Sequence, residues 1–240
     1  MHVFYYPDLI NGPPVLPETE ARHGIKVLRL RRGNLIGITD GHGTFVKAEI
    51  VDDEVQNCVF RIIEQHTDAR PAGPILHIAV SPLQQQDRFE WFVEKATELG
   101  VNIITPLLCE RTVRPGVRTD RMQKIIISAM KQSARAWLPM LNEPVPFSEF
   151  VTRNLPMQRF IAHCMEEKKE DLFTSLEAGK DTVILIGPEG DFTLSEVQYA
   201  MEHHFLPVSM GSARLRTETA GIAACCMFQF VQTPATKSAI

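Results

Sequence analysis

Long hydrophobic runs are missing from this 240-residue sequence: the longest, Gly221 to Phe228, is far short of the roughly 20 residues a membrane helix needs. Nothing from Met1 to Pro17 combines a basic start with an apolar stretch, so no secretion leader and no membrane partner are expected. Cysteine is scarce, odd in number and free of C-x-x-C spacing: Cys58, Cys109, Cys164, Cys225 and Cys226 fit neither a disulfide framework nor a zinc ribbon. A reducing, cytoplasmic setting and no metal follow as expectations. Charge of one sign is also lacking. Twenty-five Lys+Arg against 29 Asp+Glu give −4, which offers no bulk attraction to nucleic acid or an anionic membrane, so any basic surface has to be local. Absent as well are G-x-x-x-x-G-K-S/T, H-E-x-x-H, G-x-S-x-G and the glycine fingerprint of Rossmann nucleotide binders. Nucleotide hydrolysis, zinc hydrolysis, serine-hydrolase chemistry and hydride transfer therefore lack their parts.

What is present is an ordinary globular composition, 44% hydrophobic and 22% charged, read as two rhythms. The first seventy residues hold short β segments at Phe4–Tyr6, 35–39, 45–50 and 58–63, with a hairpin signal at Asp40-Gly41-His42-Gly43. They predict a small β-barrel over residues 1–70. Two prolines and a glycine within 68–74 mark a stiff connector and a domain boundary. From residue 74 to 240, apolar runs alternate with amphipathic helices, the pattern of an α/β domain with a mostly parallel sheet. Strands are expected at 76–80, 103–109, 160–164, 183–186 and 205–210. Asp87 with Glu90 predicts a capped helix ending at Gly100, and Thr193 with Glu196 predicts a second capping box. Helices are also expected over 119–136, with Met122, Ile125, Ile126 and Ala129 inward, and over 219–231. The last is apolar or small on nearly every side, which implies burial all round, by the rest of the chain or by a second subunit.

Two strands run into unusual loops. Val183–Ile186 continues as Gly187-Pro188-Glu189-Gly190-Asp191-Phe192 and then the capped helix; the strand ending at Met210 continues as Gly211-Ser212-Ala213-Arg214-Leu215-Arg216-Thr217-Glu218-Thr219-Ala220. Each alone reads equally well as a tight turn, with Thr217 or Thr219 capping the last helix. Together, G-P-E-G-x-F-x-x-x-E and M-G-x-x-x-L-R-T-E-T-A resemble the RsmE family of the knotted SPOUT superfamily. His23–Arg29 with Asp40-Gly41, Arg88-Phe89-Glu90-Trp91, Lys95–Val101, Cys109-Glu110-Arg111 and Lys131–Arg135 match further family signatures in order. Two places depart from it. Ser212-Ala213-Arg214 stands where the family commonly has Pro and then Arg, moving the arginine by one place, and Lys131 and Ala134 replace the commoner Glu and Gly.

The resemblance implies a methyltransferase acting on N3 of a uridine in 16S ribosomal RNA, within the 30S subunit, with S-adenosyl-L-methionine as methyl donor. It also implies an N-terminal PUA-like RNA-binding barrel, a C-terminal trefoil knot and a homodimer. Carried over by position, Ile186, Gly187, Glu189, Gly190, Met210, Gly211, Leu215, Arg216, Thr217, Glu218 and Thr219 surround the cofactor. Uracil N3 carries a proton, so transfer requires its removal. Glu218 or Glu189 is the candidate to orient or deprotonate the base, and Arg216 or a basic residue of the other subunit the candidate stabiliser of charge on the uracil oxygens, with Glu98 and Glu110 as weaker carboxylate candidates. Local charge supplies the RNA surface: Arg22, Lys26, Arg29, Arg31 and Arg32 without an acid, and Arg111, Arg114, Arg118, Arg121, Lys124, Lys131 and Arg135 against Asp120 alone. Phe89, Trp91 and Trp137 are candidate stacking partners. Two other readings use the same residues: a non-catalytic RNA-binding or ribosome-assembly factor, and a related methyltransferase acting on another RNA.

Overall fold

The computed structural model describes residues 1–68, 73–155, 158–166 and 169–233. The chain divides into two compact units, Met1–Ala72 with Ile127–Leu138, and Gly73–Ile126 with Pro139–Ile240. Most of the 68–74 connector lies outside the described residues.

In the first unit, β1 (Val3–Tyr5) is followed by α1 (Glu18–Arg22) and a π-helical turn over His23–Val27. Then come β2 (Leu35–Thr39), β3 (Thr44–Ile50) and β4 (Phe60–Thr67). The strands pair in the order β1-β2-β3-β4, the first pair parallel and the others antiparallel. The expected barrel is not closed: among the described residues this path ends at β4 without returning to β1. Thr44, Val46, Ala48 and Ile50 alternate inward along β3, the last three joining Phe4, Ile36, Ile38 and Phe60 in the core, whereas β4 is exposed at every position after Phe60. The hairpin forms as its sequence indicates, with the Asp40 carboxylate accepting from the backbone N–H groups of His42 (2.7 Å) and Thr44 (3.0 Å). Segment 127–138 is stitched on by Leu138 N–H to Gly41 O (2.8 Å), Gly43 N–H to Ala136 O (2.9 Å) and a Lys131–Glu20 ion pair (2.7 Å).

The second unit contains β5 (Leu76–Val80), α2 (Gln86–Leu99) and β6 (Ile103–Leu108). The helix α3 (Thr119–Gln132) begins here and its last turns belong to the first unit. After it come β7 (Met140–Leu141), β8 (Val145–Pro146), α4 (Phe147–Val151), β9 (Gln158–Ala162), β10 (Glu170–Asp171) and α5 (Leu172–Ser175). The unit closes with β11 (Thr182–Ile186), α6 (Leu194–Glu202), β12 (Leu206–Ser209) and α7 (Thr217–Gln232). The sheet is parallel in the order β10-β12-β9-β11-β5-β6-β7, with β8 also on β6. Every residue of β5 and β11 is buried, as expected where helices cover both faces. Helices α4 and α6 lie with Ala79, Val183 and Leu185 in one core; α7 packs on β5 and β11, and α2 packs against α7. That second packing is close: a Cβ on Gly221 of α7 would sit 2.5 Å from the Phe92 ring of α2.

Several expectations shift. Gln85, not Asp87, occupies the N-cap of α2, because the helix starts earlier and Glu90 is taken by Gln86 and Arg121. The Gly100 stop stands, left-handed at φ 86°. Helix α3 ends at Gln132 instead of 136: the Ser133 hydroxyl bonds back to Ala129 O and Ala134 takes a left-handed φ of 52°. Met130 is buried in that helix and Ile125 only half-buried. Helix α7 starts two residues early, and only one stripe of it is buried, including Ala220, Ala224, Cys225 and Phe228; Phe230 is 72% exposed.

Candidate functional site

In open parallel sheets, ligands collect beyond the carboxyl ends of strands where the chain order reverses. Here β11 is inserted between β5 and β9, and β12 lies on the far side of β9. A cavity of about 690 Å³ opens at that end. Its floor is apolar, from Ala162 at the end of β9, Ile186 of β11, Val208 of β12, Leu215 and Ala220. Its walls carry both signs of charge, from Glu189, Asp191 and Glu218 and from Arg88, Lys169, Arg214 and Arg216.

The loop after β11 is held from three directions. Arg111 donates to Gly190 O (2.8 Å) and Phe192 O (3.5 Å). Asp191, at φ 63°, accepts from its neighbour Phe192 N–H (2.9 Å) and, across from the end of β9, from Cys164 N–H (2.8 Å). The Thr217 hydroxyl donates to Gly187 O (2.9 Å), tying the second loop to the first. Neither Thr217 nor Thr219 caps α7: Arg216 holds the N-cap position without a side-chain bond, since Thr217 is committed to Gly187. Behind the loop, the Thr193–Glu196 capping box forms, and Glu196 also accepts from Glu110 N–H (2.8 Å).

Glu218 is 7% exposed in the first turn of α7, where the helix N-terminus favours a negative charge. A guanidinium nitrogen of Arg88 lies 3.7 Å from its carboxylate. Glu189 sits at the exposed rim, accepting from Gln84 N–H (2.9 Å). The Lys169 ammonium donates to the carbonyls of His163 and Met165, both at 2.7 Å, and so fixes the wall beside Cys164.

Of the carried-over residues, Ile186, Gly187, Glu189, Met210, Gly211, Leu215, Arg216, Thr217 and Glu218 line this one cavity. Gly190 and Thr219 do not: Gly190 is packed under the Arg111 side chain, and Thr219 turns outward one step round the helix from Glu218. Glu98 pairs with Lys95 (2.8 Å) and Glu110 is an exposed loop residue, so neither joins the site. Arg88, Asp191, His163, Cys164 and Lys169 also line the cavity and were missed as site residues. The signal for the last three was the end of β9, which shares its sheet end with β11.

The basic residues divide. Arg22, Lys26, Arg29, Arg31 and Arg32 are exposed in the first unit, Arg22 beside Glu18 (2.7 Å) and Arg31 3.8 Å from Asp53. In the same unit Lys131 is paired with Glu20 and Arg135 is half-buried. In the second unit Arg114 and Arg118 are exposed, Arg111 serves the β11 loop and Arg121 pairs with Glu90. No helix among the described residues is long and apolar enough to cross a membrane.

The description "RNA methyltransferase domain" matches residues 72–229. A probable rRNA-methyltransferase from Porphyromonas gingivalis has a structure with TM-score 0.89 and 36% identity, covering 97% of this chain and 98% of its own. Ribosomal RNA small subunit methyltransferase E from Neisseria gonorrhoeae, solved bound to S-adenosyl methionine, gives 0.82 and 30% over the same shares. The protein of that name from Synechocystis is 28% identical over 220 residues, 88% of this chain and 71% of its own.

Proposed function

The chain belongs to the RNA methyltransferase family, among the ribosomal RNA small subunit methyltransferases E, and we propose that it transfers a methyl group from S-adenosyl-L-methionine to N3 of a uridine in 16S ribosomal RNA. The observation that carries this reading is the cavity at the switch of the sheet, with Glu218 buried in its wall.

The cavity fits the donor. Its volume falls in the range of small-molecule sites, its apolar floor suits adenine, and walls of both signs suit an amino acid's ammonium and carboxylate. Bound there, S-adenosylmethionine supplies an electrophilic methyl group. The residues proposed to hold it are Ile186, Gly187, Glu189, Met210, Gly211, Leu215, Arg216, Thr217 and Glu218, with Asp191 and Lys169 added by the geometry. Glu218 is the better general base than Glu189, because it is buried, whereas Glu189 is exposed and already accepts a backbone N–H. Arg216 then stabilises negative charge on the uracil carbonyls.

Exposed Arg22, Lys26, Arg29, Arg31 and Arg114 are proposed to contact RNA phosphates, which position the substrate without reading its sequence. Lys131, Arg111 and Arg135 contribute first to the fold and only secondarily to RNA. The first unit is read as a PUA-like RNA-binding module. A C-terminal trefoil knot is supported by the return of the chain from β12, past β9, to pack α7 on β5 and β11. A homodimer is supported by the outer face of α7, where Ile222, Cys226 and Met227 are half-covered and Phe230 is exposed. Action on RNA within the 30S subunit, in the cytoplasm, completes the reading.

The test is incubation of the purified protein and S-adenosylmethionine with 30S subunits from a strain lacking the gene, followed by reverse-transcription mapping and nucleoside mass spectrometry. One 3-methyluridine in 16S rRNA is the expected result. A methylated nucleoside of another kind, or none despite donor binding, would contradict it.

A further inference from the structure

A second cleft, of about 620 Å³, opens on the other side of Glu218. It shares Arg88, Arg214, Leu215, Arg216 and Glu218 with the donor cavity and adds Trp91 and Asp87 from α2 and Thr219 from α7. Glu218 therefore lines both spaces, with an Arg88 guanidinium nitrogen 3.7 Å from its carboxylate. Trp91 is three residues beyond Arg88, on the same side of the helix, and is 45% exposed. An exposed tryptophan in a cleft with three arginines, Arg88, Arg214 and Arg216, against Asp87 and Glu218 has the make-up of a stacking platform for an unpaired base.

We propose that this cleft seats the target uracil, with Trp91 stacked on its face and Arg88, Glu218 and Arg216 reading its edge. This rests on the methyltransferase reading and adds the substrate's place to it. Uracil presents acceptor, donor and acceptor along O4, N3–H and O2. A carboxylate with Arg88 3.7 Å away, in a cleft that Arg216 also lines, can present the complement: Glu218 accepts the N3 proton while Arg88 and Arg216 donate to the carbonyls. Cytosine presents a lone pair at N3, which would face the Glu218 carboxylate and be repelled. The same contact serves the chemistry. The N3 proton passes to a Glu218 oxygen, the N3–CH3 bond forms as the S–CH3 bond breaks with its electron pair left on sulfur, and Glu218 afterwards releases the proton to water.

Trp91 and Trp137 are the only tryptophans, so Trp137→Phe leaves Trp91 as sole reporter. Titrating that variant, with S-adenosylhomocysteine bound, with a short single-stranded RNA holding one uridine should quench its emission saturably. The same RNA with cytidine should bind about 10-fold more weakly or worse. Trp91→Ala should raise KM for small-subunit RNA by roughly 10-fold with unchanged S-adenosylmethionine affinity, and Trp91→Phe should restore most of it. Arg88→Gln should erase the preference for uridine, and Arg88→Lys should recover part of it. Equal quenching by uridine and cytidine RNA overturns the proposal. So does a Trp91→Ala protein whose KM is normal, including one whose sedimentation changes instead, which would mark the cleft as a surface between copies. If the unmodified protein methylates no RNA, the functional reading itself fails; if it methylates normally and only these variants are silent, the fault lies with the cleft alone.

Discussion

The two loops that wall the donor cavity are built in opposite ways. The one after β11 is bolted down: Arg111, Asp191 and Thr217 fasten it to three other segments, and Phe192 is completely buried beneath it. The one after β12 is loose, since residues 211–214 are exposed and no hydrogen bond from 211–215 reaches another segment among the described residues. The contrast separates two tasks. A fixed loop keeps the cavity's shape and a free one can adjust to an occupant, because preorganised groups cost nothing to position at the moment of reaction. It also explains how Ser212-Ala213-Arg214 departs from the family pattern without disturbing the fold. The change falls where the chain carries little structural load.

The largest expected effect concerns Glu218, which lies just past the join of the loose loop and α7. Glu218→Gln should lower single-turnover methylation about 10²- to 10⁴-fold, the usual span for losing a general base. Donor affinity, followed by calorimetry, should change far less.

Next comes the scaffold beneath the fixed loop. His77 of β5 is buried, bonded to Thr105 Oγ (2.7 Å), and burial together with Arg153 pushes its pKa down to about 4. The unfolded chain takes up that proton near pH 6.5 and the folded chain only near 4. Stability is therefore present above about 6.5 and lost as pH falls through this window, by about 3 kcal/mol at the bottom. Urea melts across pH 4–7 should show the slope, and His77→Asn should flatten it.

Smaller is the effect of unfastening one bolt. Thr217→Val removes the hydroxyl that satisfies Gly187 O and should cost roughly 1–2 kcal/mol in denaturant melts, with weaker donor binding. Smallest is Ser212→Pro in the loose loop, which should move stability by no more than about 0.5 kcal/mol. A large loss there would break the contrast between the loops.

Much of this was legible in the sequence where one segment decided its own structure. Largely apolar runs marked β5 and β11, and Thr193 with Glu196 marked the start of α6 to the residue. The site loops were found because glycine and charge cluster after those strands. What escaped depended on distant partners. Arg88 stood in a recognisable signature, yet its role needs Glu218, 130 positions away, to be packed against it. Asp191 looked like loop filler until the end of β9 came alongside. Segment 127–138 reads as the tail of a helix, and only its bonds to Gly41, Gly43 and Glu20 assign it to the first unit. Adjacency misled in the other direction: Gly190 and Thr219 sit beside residues of the donor cavity in sequence, yet Gly190 lies under the Arg111 side chain and Thr219 faces the neighbouring cleft.

The central claim is that the space between these loops is the seat of the methyl donor. Hydrogen–deuterium exchange with and without S-adenosylmethionine measures it directly. Amides of 210–218 should exchange fast alone and become protected on saturation, while those of Asp191 and Phe192, already hydrogen-bonded, change little. Protection appearing elsewhere, with both loops unmoved by saturating donor, would contradict it.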